Sequence, residues 1–179
     1  MYLMDKTLVN KYLVSLQNGN INALDGLYKH TKQAVFSVSL SVVKNYQDAC
    51  DLMQTTYIKV KEKIHLYKPN TNGLAWILTI TKNISINEIK KLSRSVVTDF
   101  NENEFLGEDI DTYDKTPIFK ICKKVLKTEE LQILLLHVVA GYKHREIAVI
   151  LDKPLGTVLW VYNNSLKKLK KSLGFKNEE

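Results

Sequence analysis

HREIAVILDKPLGTVLWVYNNSLKKLKKSLG, residues 144–174, is the stretch that decides the fold. Ile147, Ala148 and Leu151 keep helical spacing, Pro154 forbids that helix to continue, and Val158 and Val161 resume the pattern on a second helix expected to start at Gly156-Thr157. Two short helices crossing at a tight turn, with the small Ala148 where the backbones approach, make a helix-turn-helix. On the second helix Val158, Val161, Tyr162, Ser165 and Leu169 fall inward, while Leu159, Trp160, Asn163, Asn164, Lys167, Lys170 and Lys171 fall outward. An outward face of amides and an indole, followed by lysines, suits a major groove, since Asn pairs with adenine edges and Lys with phosphate. The helix has no Arg, the commonest reader of guanine, so A/T-rich sites are expected over G-rich ones. Helical hairpins also occur as plain structural elements, so the motif alone leaves function open.

Upstream, Thr128-Glu129-Glu130 opens a helix with Thr128 as its expected N-cap, and Gly141 ends it. His137, on an otherwise apolar helix, reads as a satisfied core histidine. Before this block lies VTDFNENEFLGEDIDTYDKT, residues 97–116, with seven carboxylates, one cation and no helical apolar period. It is expected to be a flexible acidic linker. The overall charge of +7 is divided around it: residues 1–96 hold 13 basic and 6 acidic groups, and residues 117–179 hold 12 and 6. Two basic blocks flanking an acidic bridge predict two domains with an affinity for polyanions.

The first block is helical too. Thr7 is the expected cap of a helix through Leu8, Tyr12, Leu13 and Leu16, stopped by Asn18-Gly19-Asn20. Leu24, Leu27, Tyr28, Val35, Val38 and Val42 mark the buried stripe of a second helix, with a break at Asn45–Asp48. In DACDLMQTTYIKVKEKI, Ala49, Met53, Thr56, Tyr57, Val60 and Ile64 share one face, and Asp51, Gln54, Thr55 and Ile58 the other. An isoleucine among short polar groups on an outer face suits a protein partner. After the Lys68–Gly73 loop, a helix buries Leu74, Ile77, Leu78, Ile80, Ile84, Ile89 and Leu92 and aligns Trp76, Thr79, Asn83, Asn87, Lys90 and Arg94 opposite. Indole, amides and cations in one row suit single-stranded nucleic acid, which stacks on aromatics and is held at its phosphates by cations.

Taken together, these motifs resemble the small, two-domain extracytoplasmic-function type of bacterial RNA polymerase sigma factor, over about residues 8–95 and 117–173. ALDGLYKHT resembles the family's opening region, DACDLMQTTYIKV its polymerase-clamp-binding helix, AWILTITKNISINEIKK its promoter-melting helix, and HREIAVILDKPLGTV its C-terminal helix-turn-helix. Cys50 stands where the family has an acidic residue, and Asp152 where it has a turn glycine. The resemblance implies that Asp51, Leu52, Gln54 and Ile58 meet core RNA polymerase. It also implies that Asn72, Trp76, Asn83, Asn87, Lys90, Lys91 and Arg94 engage the melted minus-ten element. Arg145, Thr157, Leu159, Trp160, Asn163, Asn164, Lys167 and Lys171 would then engage duplex minus-35 DNA. An anti-sigma protein is a further partner the resemblance implies.

The expected architecture is all-α: a polymerase-binding and promoter-melting domain (1–96), the acidic linker (97–116) and a helix-turn-helix domain (117–179). With 45% hydrophobic and 25% charged residues and only 7 Gly and 3 Pro, the chain is neither disordered nor collagen-like. Its four His and two Cys have no metal-ligand spacing, and no Gly-rich phosphate loop or G-x-S-x-G motif is present. No enzyme activity, cofactor or metal is expected, nor is membrane insertion, and the expected location is the cytoplasm. Two alternatives are a helix-turn-helix regulator acting without core polymerase and a sigma-like adaptor that has lost DNA binding.

Overall fold

A computed structural model describes residues 6–95 and 117–174, and the acidic bridge 97–116 lies outside them. The described residues form eight α-helices and no strand: α1 (Lys6–Gln17), α2 (Ala23–Val43), α3 (Tyr46–Lys63), α4 (Gly73–Ser95), α5 (Pro117–Val125), α6 (Thr128–Val138), α7 (His144–Ile150) and α8 (Leu155–Ser172). A 3-10 turn, Ile64–Leu66, follows α3.

Helix ends fall where local chemistry places them. Gly19, at φ +89°, closes α1, and Lys44, at φ +57°, closes α2. Asn45 then caps α3 by accepting the Asp48 N–H at 2.9 Å. Three expected starts move. Thr7 sits one residue inside α1, Thr128 is the first residue of α6, and α8 begins at Leu155, directly after Pro154. The α6 start is held by Glu130, whose carboxylate accepts the Lys127 N–H at 3.0 Å, so a residue in the first turn does the work expected of a Thr cap. Asp152 occupies the left-handed turn between α7 and α8 at φ +51°. Asp is among the few residues that tolerate this conformation in place of Gly.

Helices α1 to α4 pack around Leu13, Leu27, Val35, Val38, Val60 and Ile77, all fully buried. Each such side chain contributes about 1.5–3 kcal/mol by leaving water. Gly26 is required at the α1–α2 crossing, because a Cβ there would collide with the Tyr12 ring. Two α1 amides fasten the segment leading into α4: Asn10 donates to the Thr71 carbonyl (2.8 Å) and accepts the Gly73 N–H (3.0 Å), and Gln17 donates to the Ile64 and Tyr67 carbonyls. Two stripe residues expected inside are exposed: Tyr28 on α2, whose ring instead meets Tyr57 edge-on, and Ile89 in the last turns of α4.

The two blocks share their core. One cluster joins Leu40 and Ala49 to Phe119, Cys122, Leu126, Leu131, Leu134, Leu135 and Leu169, and the other runs from Val9 and Leu13 to Ile147, Val158 and Val161. Lys44 reaches across to the carbonyls of Lys123 (3.1 Å) and Leu126 (3.4 Å), where it satisfies the carbonyl end of α5.

Candidate nucleic-acid interface

Three surfaces carry the residues singled out by sequence. On α3, Asp51, Gln54 and Ile58 lie along one exposed line, and Ile58 is 58% exposed. Leu52 does not join them: at 5% exposure it is buried beneath that face. The buried face of α3 is made by Ala49, Leu52, Thr56 and Val60, with Met53 and Tyr57 half-buried at its edges. Burial, the leading cause, pushes the Tyr57 hydroxyl pKa well above its ordinary value, although its hydrogen bond with Thr31 (2.8 Å) opposes the shift.

On α4, Asn72 caps the helix by accepting the Ala75 N–H (3.1 Å) and donates its amide to the Val149 carbonyl of α7 at 3.3 Å. Trp76 departs from its expected place on an open ladder. It is half-buried, and its ring leans on Tyr67 with centroids 5.3 Å apart, because the loop before α4 folds Tyr67 beneath it. Thr79, Asn83, Asn87, Lys90 and Lys91 are exposed, and Lys91 pairs loosely with Glu88. Arg94 falls within α4, with its side chain outside the described residues.

On α8, Val158, Val161, Ser165 and Leu169 are buried, while Thr157, Leu159, Trp160, Asn163, Lys167 and Lys171 are exposed, as is Arg145 on α7. Asn164 is the exception to the expected outward set. It is half-buried and donates to Glu130 Oε1 at 3.3 Å, where Lys168 Nζ also arrives at 2.7 Å. Burial works against charge on Glu130, but hydrogen bonds from Lys168 and the Lys127 backbone, with both lysine charges, outweigh it and hold the carboxyl below its ordinary pKa. Glu130 thus ties α6 to α8, a role that its place in the first turn of α6 gave no means of assigning.

Behind α8, the His137 and His144 rings stack with centroids 4.2 Å apart, and Tyr162 meets both edge-on at 5.0 and 4.6 Å. His137 Nδ1 lies 2.7 Å from the Tyr142 carbonyl, which suits its reading as a satisfied core histidine. His144 Nε2 is buried without a hydrogen-bond partner. Burial first and then the neighbouring His137 lower the His144 pKa. Among the described residues no cluster of three or more His, Cys, Asp or Glu side chains is arranged to hold a metal ion, and no helix is long and apolar enough to cross a membrane.

Residues 27–95, from within α2 to the end of α4, match the Sigma-70 region 2 family. The chain is 26% identical over 148 residues to the ECF RNA polymerase sigma factor EcfG of Rhodopseudomonas palustris (strain TIE-1), covering 75% of each sequence. Its fold is similar to that of CnrH in complex with the cytosolic domain of CnrY (TM-score 0.64, 17% identity, 92% of this chain and 96% of that one). It is also similar to the sigma factor RpoE in complex with the anti-sigma factor NepR from Bartonella quintana (TM-score 0.65, 20% identity, 88% and 100% covered).

Proposed function

We propose that the chain acts as an extracytoplasmic-function RNA polymerase sigma factor, a reading supported by its match to Sigma-70 region 2 and its likeness to EcfG, and that its surfaces divide the work. It binds core RNA polymerase, directs promoter recognition in the cytoplasm, and leaves RNA synthesis to the polymerase. It is a specificity subunit and not an enzyme. The exposed α3 line of Asp51, Gln54 and Ile58, stiffened by Leu52 beneath, meets the polymerase. The outer face of α4, with Asn83, Asn87, Lys90 and Lys91, holds the melted minus-ten strand beside the half-buried Trp76. Arg145 and the outward face of α8 meet duplex minus-35 DNA. The functional division is residues 1–96 and 117–179, joined by the acidic 97–116 segment. An anti-sigma protein able to cover these surfaces completes the partner set.

The observation that carries this reading is the α3 line, an apolar residue and two short polar ones held outward inside the region 2 match. Replacing Asp51, Gln54 and Ile58 together by Ala should abolish co-purification with core RNA polymerase and promoter-directed transcription. The fold should survive, since exposed substitutions usually change stability by only about 0.5 kcal/mol each. Undiminished co-purification would refute the assignment.

A further inference from the structure

The outward face of α8 is led by the wrong kind of residue for a solvated helix. At about 100° per residue, Trp160 lies within roughly 40° of the direction opposite the buried Val158, Val161, Ser165 and Leu169. It is therefore far from the face boundary where a half-buried indole would be ordinary. Its side chain is 67% exposed, the most exposed of the large apolar residues described, and Leu159 beside it is 39% exposed. Gly156, Asn163 and Lys167 continue the same line at four, three and seven residues from Trp160.

Gly156 supplies an independent observation. A Cβ built there meets no atom within 4 Å, so nothing inside the chain keeps the position small. A glycine in the first turn costs helix stability relative to alanine. An unfilled, unneeded glycine one turn before an exposed indole leaves room for an external surface to come close to the backbone.

Charge says what that surface is. The same helix carries exposed Lys167, Lys170 and Lys171, and the neighbouring α7 carries exposed Arg145, so the apolar spot is flanked by cations suited to phosphate. Asn164 is held by Glu130, which leaves Asn163 as the free amide on this face. With no Arg on α8 to read guanine and one free amide to read adenine, the remaining specific feature of the major groove that apolar side chains recognise is the thymine 5-methyl group.

The geometry points to Trp160, with Leu159, as the specificity-determining residue of α8, reading thymine 5-methyl groups in the major groove of A/T-rich duplex DNA. This rests on the sigma-factor reading above and deepens it.

The test uses the full chain with two 20-base-pair probes, a dA·dT duplex and the dA·dU duplex that lacks only the methyl groups. The wild type should bind dA·dT more tightly, by about fourfold for each methyl buried, which corresponds to about 0.8 kcal/mol. Trp160→Ala should keep its Tm and lose the preference. Lys167→Ala should weaken both duplexes alike and keep the ratio. Gly156→Ala should raise Tm and weaken both.

Equal affinity of the wild type for the two duplexes, no binding to either, or a preference retained by Trp160→Ala would each overturn the assignment, and equal affinity would leave Trp160 to a protein partner. Core RNA polymerase capture is measured on the same preparations. It should be unchanged by Trp160→Ala, whereas failure of the wild-type chain to capture polymerase would sink the sigma-factor reading itself.

Discussion

Asn163 and Asn164 are adjacent and chemically identical, yet their surroundings give them different jobs. Asn163 is exposed on the outward line of α8, whereas Asn164 turns back to Glu130, which also receives Lys168 and the Lys127 N–H. A bidentate amide contact to adenine discriminates by about 1–3 kcal/mol, while an intramolecular hydrogen bond to a charged group stabilises the fold by about 1.5–3 kcal/mol. Asn163→Ala should therefore reduce discrimination among promoter sequences at unchanged Tm. Asn164→Ala should lower Tm and leave discrimination intact. Thermal melts and promoter-binding assays on the two variants distinguish these outcomes, and the reverse pattern would show that Asn164 leaves Glu130 when DNA arrives.

Among the elements, the helix-turn-helix is exposed to acid through its own packing. His144 opens α7, stacks on His137 and presents a buried, unpartnered Nε2 towards the core behind α8. Its pKa is lowered from 6.5 by burial and by His137. A group whose folded pKa is depressed binds protons more readily in the unfolded chain. Its neutral form is accommodated fully above pH 6.5, and stability is lost as pH falls from there through the folded value. His144→Phe keeps the ring and removes the titration, so its Tm should vary less between pH 7.5 and pH 5.5 than that of the wild type, as read by circular dichroism. An equally steep loss in the variant would place the acid sensitivity elsewhere. Glu130 has the same sign at lower pH: its stabilisation holds above its ordinary value of 4.5 and fades as the medium falls through its lowered one.

At the scale of the molecule, the two basic blocks bury side chains against each other. Leu40 and Ala49 from the first block are buried with Phe119, Leu131, Leu134 and Leu135 from the second, and Lys44 closes the carbonyl end of α5. Leu40→Ala should cost about 2–5 kcal/mol, the usual range for such a truncation in a core. It should lower the unfolding midpoint of both blocks together. Hydrogen exchange resolved along the chain would report this as simultaneous loss of protection in α2 and α6, whereas loss confined to one block would mean that the shared core is dispensable.

Local pattern was enough for the helix-turn-helix and for the outward α3 line, because both depend on spacing along one helix and on local end signals such as Pro154 and Asn45. Even the merging of the blocks left a trace in the chain. Residues 34–43, AVFSVSLSVV, contain no charge at all, and α2 is accordingly covered on nearly every side there, where α6 lies against it. What spacing could not supply was the identity of the neighbour. Tyr67 withdraws Trp76 from solvent, Glu130 claims Asn164, and Val149 receives Asn72, each across a sequence distance of nine to 77 residues. A helical period fixes which direction a side chain leaves its own axis, but hydrogen bonds and ring contacts are decided by whatever the tertiary fold brings to meet it.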